Sequence, residues 1–165
     1  MSAVQRGVVA IVRRAGQYLV IRRAAGVAAP GAWCFVGGAL ESGESEQAAV
    51  AREFREEVGG AVTASRRVWE YHSPDGRLRL SWWLADLADG PLQANPAEVA
   101  ELRWLAPAEI ARLPGLLDSN RAFLDWLARA DTALDGRPVE SPRRAGFAGS
   151  PDAQRGRHVH GPEHP

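Results

Sequence analysis

Two runs rich in β-branched and aliphatic residues open the chain. RGVVAIVRR (6–14) and QYLVIRR (17–23) are separated only by Ala15 and Gly16 and predict a hairpin. AAGVAAPG (24–31) is a loop of small residues, and AWCFV (32–36) is a third short strand ended by Gly37 and Gly38. From Ser45 to Val58 the period turns helical, and Gly59–Gly60 supplies the stop. Strand character resumes in AVTASRRVWEYH (61–72). SPDG (73–76) is a turn, because proline presets one dihedral and glycine tolerates positive φ. RLRLSWWLADL (77–87) alternates, with Leu78, Leu80, Trp82 and Leu84 on one face and Arg77, Arg79, Ser81 and Trp83 on the other. A loop (88–98), a short strand ELRWL (101–105), a proline-initiated helical turn (107–113) and an amphipathic helix (119–130) follow. In that last helix Phe123, Leu124, Trp126 and Leu127 face the core.

Strands, one central helix, more strands and C-terminal helices predict a layered α+β or α/β/α domain with a mixed sheet, over residues 1–130. Beyond about Asp131 the chain is rich in Gly, Pro, Arg and His and poor in large apolar groups. Residues 131–165 are therefore expected to be a disordered tail. His158, His160 and His164 read as solvated tail residues, with metal chelation as the alternative.

Composition narrows the chemistry. The formal net charge is zero, which gives no pull toward a nucleic acid polymer or an anionic membrane. All 20 basic residues are arginine, so lysine-based catalysis is excluded, while phosphate recognition by planar guanidinium forks is not. Cys34 is the one cysteine, which rules out an intrachain disulfide. It reads as a buried strand residue, with a catalytic thiol as the alternative. No basic segment precedes the first apolar run and no cleavage site follows it, so no signal peptide is expected and the expected location is cytoplasmic.

One segment does not suit a plain solvated helix. Glu41, Glu44, Glu46, Glu53, Glu56 and Glu57 fall within seventeen residues. On a helix, Glu53 and Glu57 lie about 6 Å apart on one face, with Glu56 beside them. They sit at the helix C-terminus, where the backbone dipole is already negative. Arg52 compensates only part of this charge. A hard divalent cation such as Mg²⁺, which prefers carboxylate oxygens and bridges to phosphate, accounts for the rest better than solvation does.

The same residues resemble the Nudix hydrolase signature: Gly38, Glu44, Arg52, Glu53, Phe54, Glu56, Glu57 and Gly59 stand at its spacing. Gly60 occupies its final position, where a bulky apolar residue is usual, and Phe54 is aromatic where an aliphatic one is usual. The resemblance implies an α/β fold, an α/β/α sandwich with a mixed β-sheet and a loop–helix–loop catalytic motif. It also implies Mg²⁺-dependent hydrolysis (Mn²⁺ as a substitute) of a nucleoside diphosphate linked to another group. Glu53, Glu56 and Glu57 would hold the metal with a backbone carbonyl at Gly37 or Gly38, Arg52 would orient a carboxylate, and Glu44 would brace the loop.

Outside the signature the chain looks like the MutT branch, which converts nucleoside triphosphates, including oxidised purine forms, to monophosphate and pyrophosphate. In that likeness Glu98 is an additional metal ligand or general base, with Glu101 as its rival. Arg23 meets phosphate, Phe35 contacts the base or packs in the core, and Asn120 reads a purine edge or, with Ser119, caps the last helix. The expected partner is thus a small-molecule nucleotide. Pro74 resembles the downstream proline of ADP-ribose hydrolases, and Tyr71 the tyrosine of dinucleoside polyphosphate hydrolases. A nucleotide-sensing module without catalysis is the alternative from another class.

Overall fold

The computed structural model describes residues 3–130 and Leu134; the expected tail and its histidines lie outside the described residues. Among the described residues, eight strands and three helices follow in the order β1 (Gln5–Ile11), β2 (Arg13–Arg14), β3 (Gln17–Arg23), β4 (Trp33–Cys34), β5 (Val36–Ala39), α1 (Glu46–Val58), β6 (Val62–His72), β7 (Leu78–Leu87), β8 (Val99–Leu105), α2 (Pro107–Ile110) and α3 (Asp118–Arg129). One sheet has the order β5-β1-β7-β6, with β1 and β7 parallel and the other pairs antiparallel. The second sheet pairs β3 with β2, β4 and β8.

The sequence-predicted strands are largely present, but two of them are cut. RGVVAIVRR is one run in sequence and two strands in space. Gly7 to Ile11 pair with β7, whereas Arg13 and Arg14 turn back on β3 through Ala15 and Gly16, both at positive φ. AWCFV divides in the same way at Phe35, with Trp33–Cys34 on β3 and Val36 on β1. At the break the Phe35 N–H donates to Asn120 Oδ1 at 2.8 Å. A side chain has taken the donor that would otherwise continue the strand.

The first sheet is buried on both faces. Val8 and Ala10 face α1, meeting Ala49, Val50, Phe54 and Val58. Val9, Ile11 and Trp82 face the opposite way, meeting Ile110, Phe123 and Leu124. These two apolar layers make the α/β/α sandwich. The predicted alternation along β7 holds, since Trp82, Leu80 and Leu84 join the α3 side while Trp83 and Ala85 join the α1 side. Phe123 stacks on Trp82 with ring centroids 4.4 Å apart. Among the described residues, no helix is long and apolar enough to cross a membrane.

Candidate active site

The acidic segment folds as a loop and a helix with a cap at each end. Ser45 is the N-cap, and its side chain accepts from the Ala48 N–H. Gly59 ends α1 in the left-handed region at φ 68°, a conformation that favours glycine. Arg52 organises the carboxylates around it. Its Nε and Nη2 donate to the two oxygens of Glu44, at 2.8 and 2.9 Å. Nη2 also reaches the Ala39 carbonyl at 3.0 Å, and Nη1 donates to Glu53 at 2.9 Å and to Glu56 at 3.3 Å. Glu44 also accepts from the Glu41 N–H at 3.2 Å, which closes the loop before α1. These contacts hold the Glu44 carboxyl below its usual range, chiefly through the Arg52 hydrogen bond, and push the Arg52 guanidinium upward.

Glu53 and Glu57 turn inward. Glu57 is buried, and its Oε2 accepts from the Gly37 N–H at 3.3 Å. Burial, followed by the Glu53 charge, pushes its carboxyl up to about 8; Glu98 adds to this and Arg23 opposes it. Glu53 is also raised, first by burial, with Arg52 opposing and Glu56 and Glu98 adding repulsion. Gly38 gives Glu53 its space, and Gly37 lets the strand lie close to Val8. A Cβ on Gly38 would lie 2.3 Å from the Glu53 carboxylate, and one on Gly37 would lie 2.2 Å from the Val8 carbonyl oxygen.

A cavity of about 470 Å³ opens beside these groups, within the usual range for a small-molecule site. Glu53, Glu57 and Glu98 line it, with Gly37, Gly38 and Arg23. Leu78, Leu80, Leu117, Ser119 and Asn120 line it as well. Glu98 therefore shares a cavity with the helix carboxylates. Glu101 does not, because on β8 it is ion-paired with Arg22 at 3.2 Å and with Arg103. Glu56 lies outside the cavity, with its side chain 48% exposed.

Three carboxylates, Glu53, Glu57 and Glu98, line the cavity with hard oxygen chemistry, and two of them are raised by burial and mutual repulsion, a condition that added positive charge relieves. The set fits a hard cation in kind. As placed, however, no three acidic, thiol or imidazole groups among the described residues form a ready-made ion site, and Arg52 links Glu53 to Glu56.

The remaining candidates divide. Arg23 lines the cavity while its Nε donates to the Ala28 carbonyl at 2.5 Å. The Phe35 ring is buried against Trp82, Phe123 and Tyr18, so it is a core residue at the cavity wall, and its N–H is already bonded to Asn120. Asn120 is 3% exposed, and its Nδ2 donates to Ser119 Oγ at 3.1 Å. The capping expectation for Ser119 and Asn120 fails, because α3 begins at Asp118 and Leu117 is its N-cap. Pro74 and Tyr71 do not line the cavity. Cys34 does, but burial pushes its thiol up to about 11, which keeps it protonated at neutral pH. The sequence offered Ser119 only as a helix cap and gave Leu78 and Leu80 no part in the site, although the alternation along β7 could have marked those two.

Residues 1–127 match the family model of the NUDIX domain. The CTP pyrophosphohydrolase of Escherichia coli is 36% identical over 109 residues, which cover 65% of this chain and 79% of that one. The isopentenyl-diphosphate Delta-isomerase of Nocardia farcinica is 35% identical over 108 residues, covering 62% of this chain and 61% of the isomerase. The solution structure of the E. coli ORF135 protein superimposes with a TM-score of 0.68 at 30% identity, covering 82% of this chain and 96% of that protein. The chain belongs to the Nudix hydrolase family.

Proposed function

We propose that this protein is a divalent-cation-dependent pyrophosphohydrolase that cleaves a nucleoside triphosphate, with an ordinary or oxidised base, to monophosphate and pyrophosphate. The observation that carries the reading is the shared cavity, which carboxylates from α1 and from the loop before β8 line together with the Gly37–Gly38 backbone, Arg23 and the apolar side chains of Leu78, Leu80 and Leu117. The similarity to the E. coli CTP pyrophosphohydrolase supports it.

Glu53, Glu56, Glu57 and Glu98, with a backbone carbonyl at Gly37 or Gly38, would hold the ion. Mg²⁺, or Mn²⁺ in its place, supplies neutralisation of phosphate charge and a lower pKa for the attacking water. The chain's own residues do the rest. Arg52 anchors Glu53 and, through Glu44, the loop before the helix. Arg23 offers a guanidinium to the phosphate chain. Leu78 and Leu80 exclude water from one wall, and Ser119 and the remaining Nδ2 hydrogen of Asn120 offer polar contacts to a base edge.

The test is a panel of nucleoside triphosphates, oxidised purine triphosphates, ADP-ribose, dinucleoside polyphosphates and isopentenyl diphosphate, with product identification and with Mg²⁺ or EDTA. Monophosphate plus pyrophosphate, released only with the metal, is the expected result. AMP plus ribose phosphate, or a rearranged isopentenyl diphosphate, would replace it with another activity. Tight nucleotide binding without product would make the protein a sensor.

A further inference from the structure

The loop between β7 and β8 closes the end of α1 and delivers Glu98, and one residue serves both purposes. The last carbonyls of a helix lack intrahelical donors. Here the Gln93 N–H donates to the Val58 carbonyl and the Asn95 N–H to the Glu57 carbonyl, each at 2.8 Å. The chain then turns at Asn95. Its carbonyl accepts from the Glu98 N–H at 3.0 Å and the Val99 N–H at 2.7 Å. Its side-chain Oδ1 accepts from the Ala97 N–H at 3.1 Å, which stabilises the turn from within. The Glu98 carbonyl is held in turn by the Ala24 N–H at 2.9 Å. The start of the loop is fixed by Leu92, whose side chain lies over Gly60 beside Phe54.

We propose that Asn95 is a positioning residue: its side-chain bond to the Ala97 N–H holds the turn whose main-chain bonds tie the backbone of Glu57 to that of Glu98, and so sets the placement of the two carboxylates in the shared cavity. The proposal rests on the reading of Glu98 as part of the catalytic site. The Glu98 bond closes the turn and the Glu57 bond satisfies a helix-end carbonyl, both through the main chain; what the asparagine adds is the side-chain acceptor for Ala97 inside that turn.

The experiment compares Asn95→Ala, Asn95→Ser, Glu98→Gln and the Asn95→Ala/Glu98→Gln pair by kcat, by calorimetric Mn²⁺ affinity without nucleotide, and by Tm. Glu98→Gln is expected to lower kcat and Mn²⁺ affinity about 10- to 100-fold, and Asn95→Ala to lower both about 10-fold. Asn95→Ser keeps a hydroxyl acceptor and should recover part of the loss; it carries the test if alanine destabilises the chain too far. In the Glu98→Gln background, Asn95→Ala should add less than about twofold, because the two residues act as one unit. Equal losses in both backgrounds, or a lowered Tm with unchanged kcat and Mn²⁺ affinity, would overturn the role of Asn95 and leave Glu98 in place. Wild-type behaviour of Glu98→Gln would remove Glu98 from the site, and the inference with it.

Discussion

The two ends of α1 carry the same side chain in opposite circumstances. At the N-terminal end Glu46 accepts from the Ser81 hydroxyl at 3.0 Å, the Trp83 indole N–H at 2.9 Å and Arg6 at 3.3 Å. It lies in the first turn, where the helix dipole favours negative charge. At the C-terminal end Glu57 is buried and Glu53 half-buried, each repelled by neighbouring carboxylates, Glu98 among them, where the dipole disfavours them. Donors satisfy the first carboxylate, and it pins the helix to the sheet. The second group lacks enough donors and holds repulsion that folding alone does not relieve. A carboxylate's place among donors, rather than its place in an acidic run, therefore separates structure from chemistry here.

The largest break in this comparison is Glu57→Gln. Turnover is expected to fall by about three orders of magnitude, equivalent to roughly 4 kcal/mol of transition-state stabilisation, while circular dichroism stays native. Steady-state kinetics decides it, and wild-type turnover would remove Glu57 from the mechanism.

The same variant sharpens the comparison by pH. With the carboxyl at about 8 when folded and 4.5 in its ordinary state, the folded chain keeps a proton that the unfolded chain has released between those values. Stability of the metal-free protein should therefore fall as pH rises through that window, by on the order of a few kcal/mol. Denaturant titrations in EDTA at several pH values test this. Glu57→Gln should flatten the curve and leave the metal-free protein more stable than wild type at the alkaline end.

Glu46→Ala breaks the other end. It strands the Ser81 hydroxyl and the Trp83 N–H, at a cost of about 1–3 kcal/mol. Tm should fall while kcat measured below the transition stays within about twofold; a large loss of kcat at unchanged Tm would place Glu46 with the chemistry after all. The smallest effect concerns Gly60. A Cβ there would lie 2.4 Å from Leu92 Cδ2 and 2.7 Å from Phe54 Cε1, so Gly60→Ala should cost about 1 kcal/mol. Adding Leu92→Ala should return most of that loss in a double-mutant cycle.

Gly60 also shows where the sequence stopped being legible. It departs from the expected bulky apolar residue because Leu92, distant in the chain, already fills the space. The helix itself was readable to within a residue, since Ser45 and Gly59 act locally. The strand breaks at Val12 and Phe35 were not, because each depends on pairing partners elsewhere, and at Phe35 on one amide of α3. The choice between Glu98 and Glu101 was equally closed to spacing. The register of β8 and the ion pairs to Arg22 and Arg103 carry Glu101 away from the cavity. The fold and the box of acidic residues were thus local signals, whereas the walls of the cavity were long-range ones.

Because the chain crosses from one sheet to the other at both Val12 and Phe35, covalent bonds stitch the two sheets together along their shared border. Jaws built this way cannot swing apart as rigid plates without tearing strand pairing. Any accommodation of ligands of different girth must come from the loop at the rim, so changes in ligand choice among homologous chains should accumulate in the segment 24–31, where Val27, Ala28 and Ala29 line the cavity, and spare the stitched border.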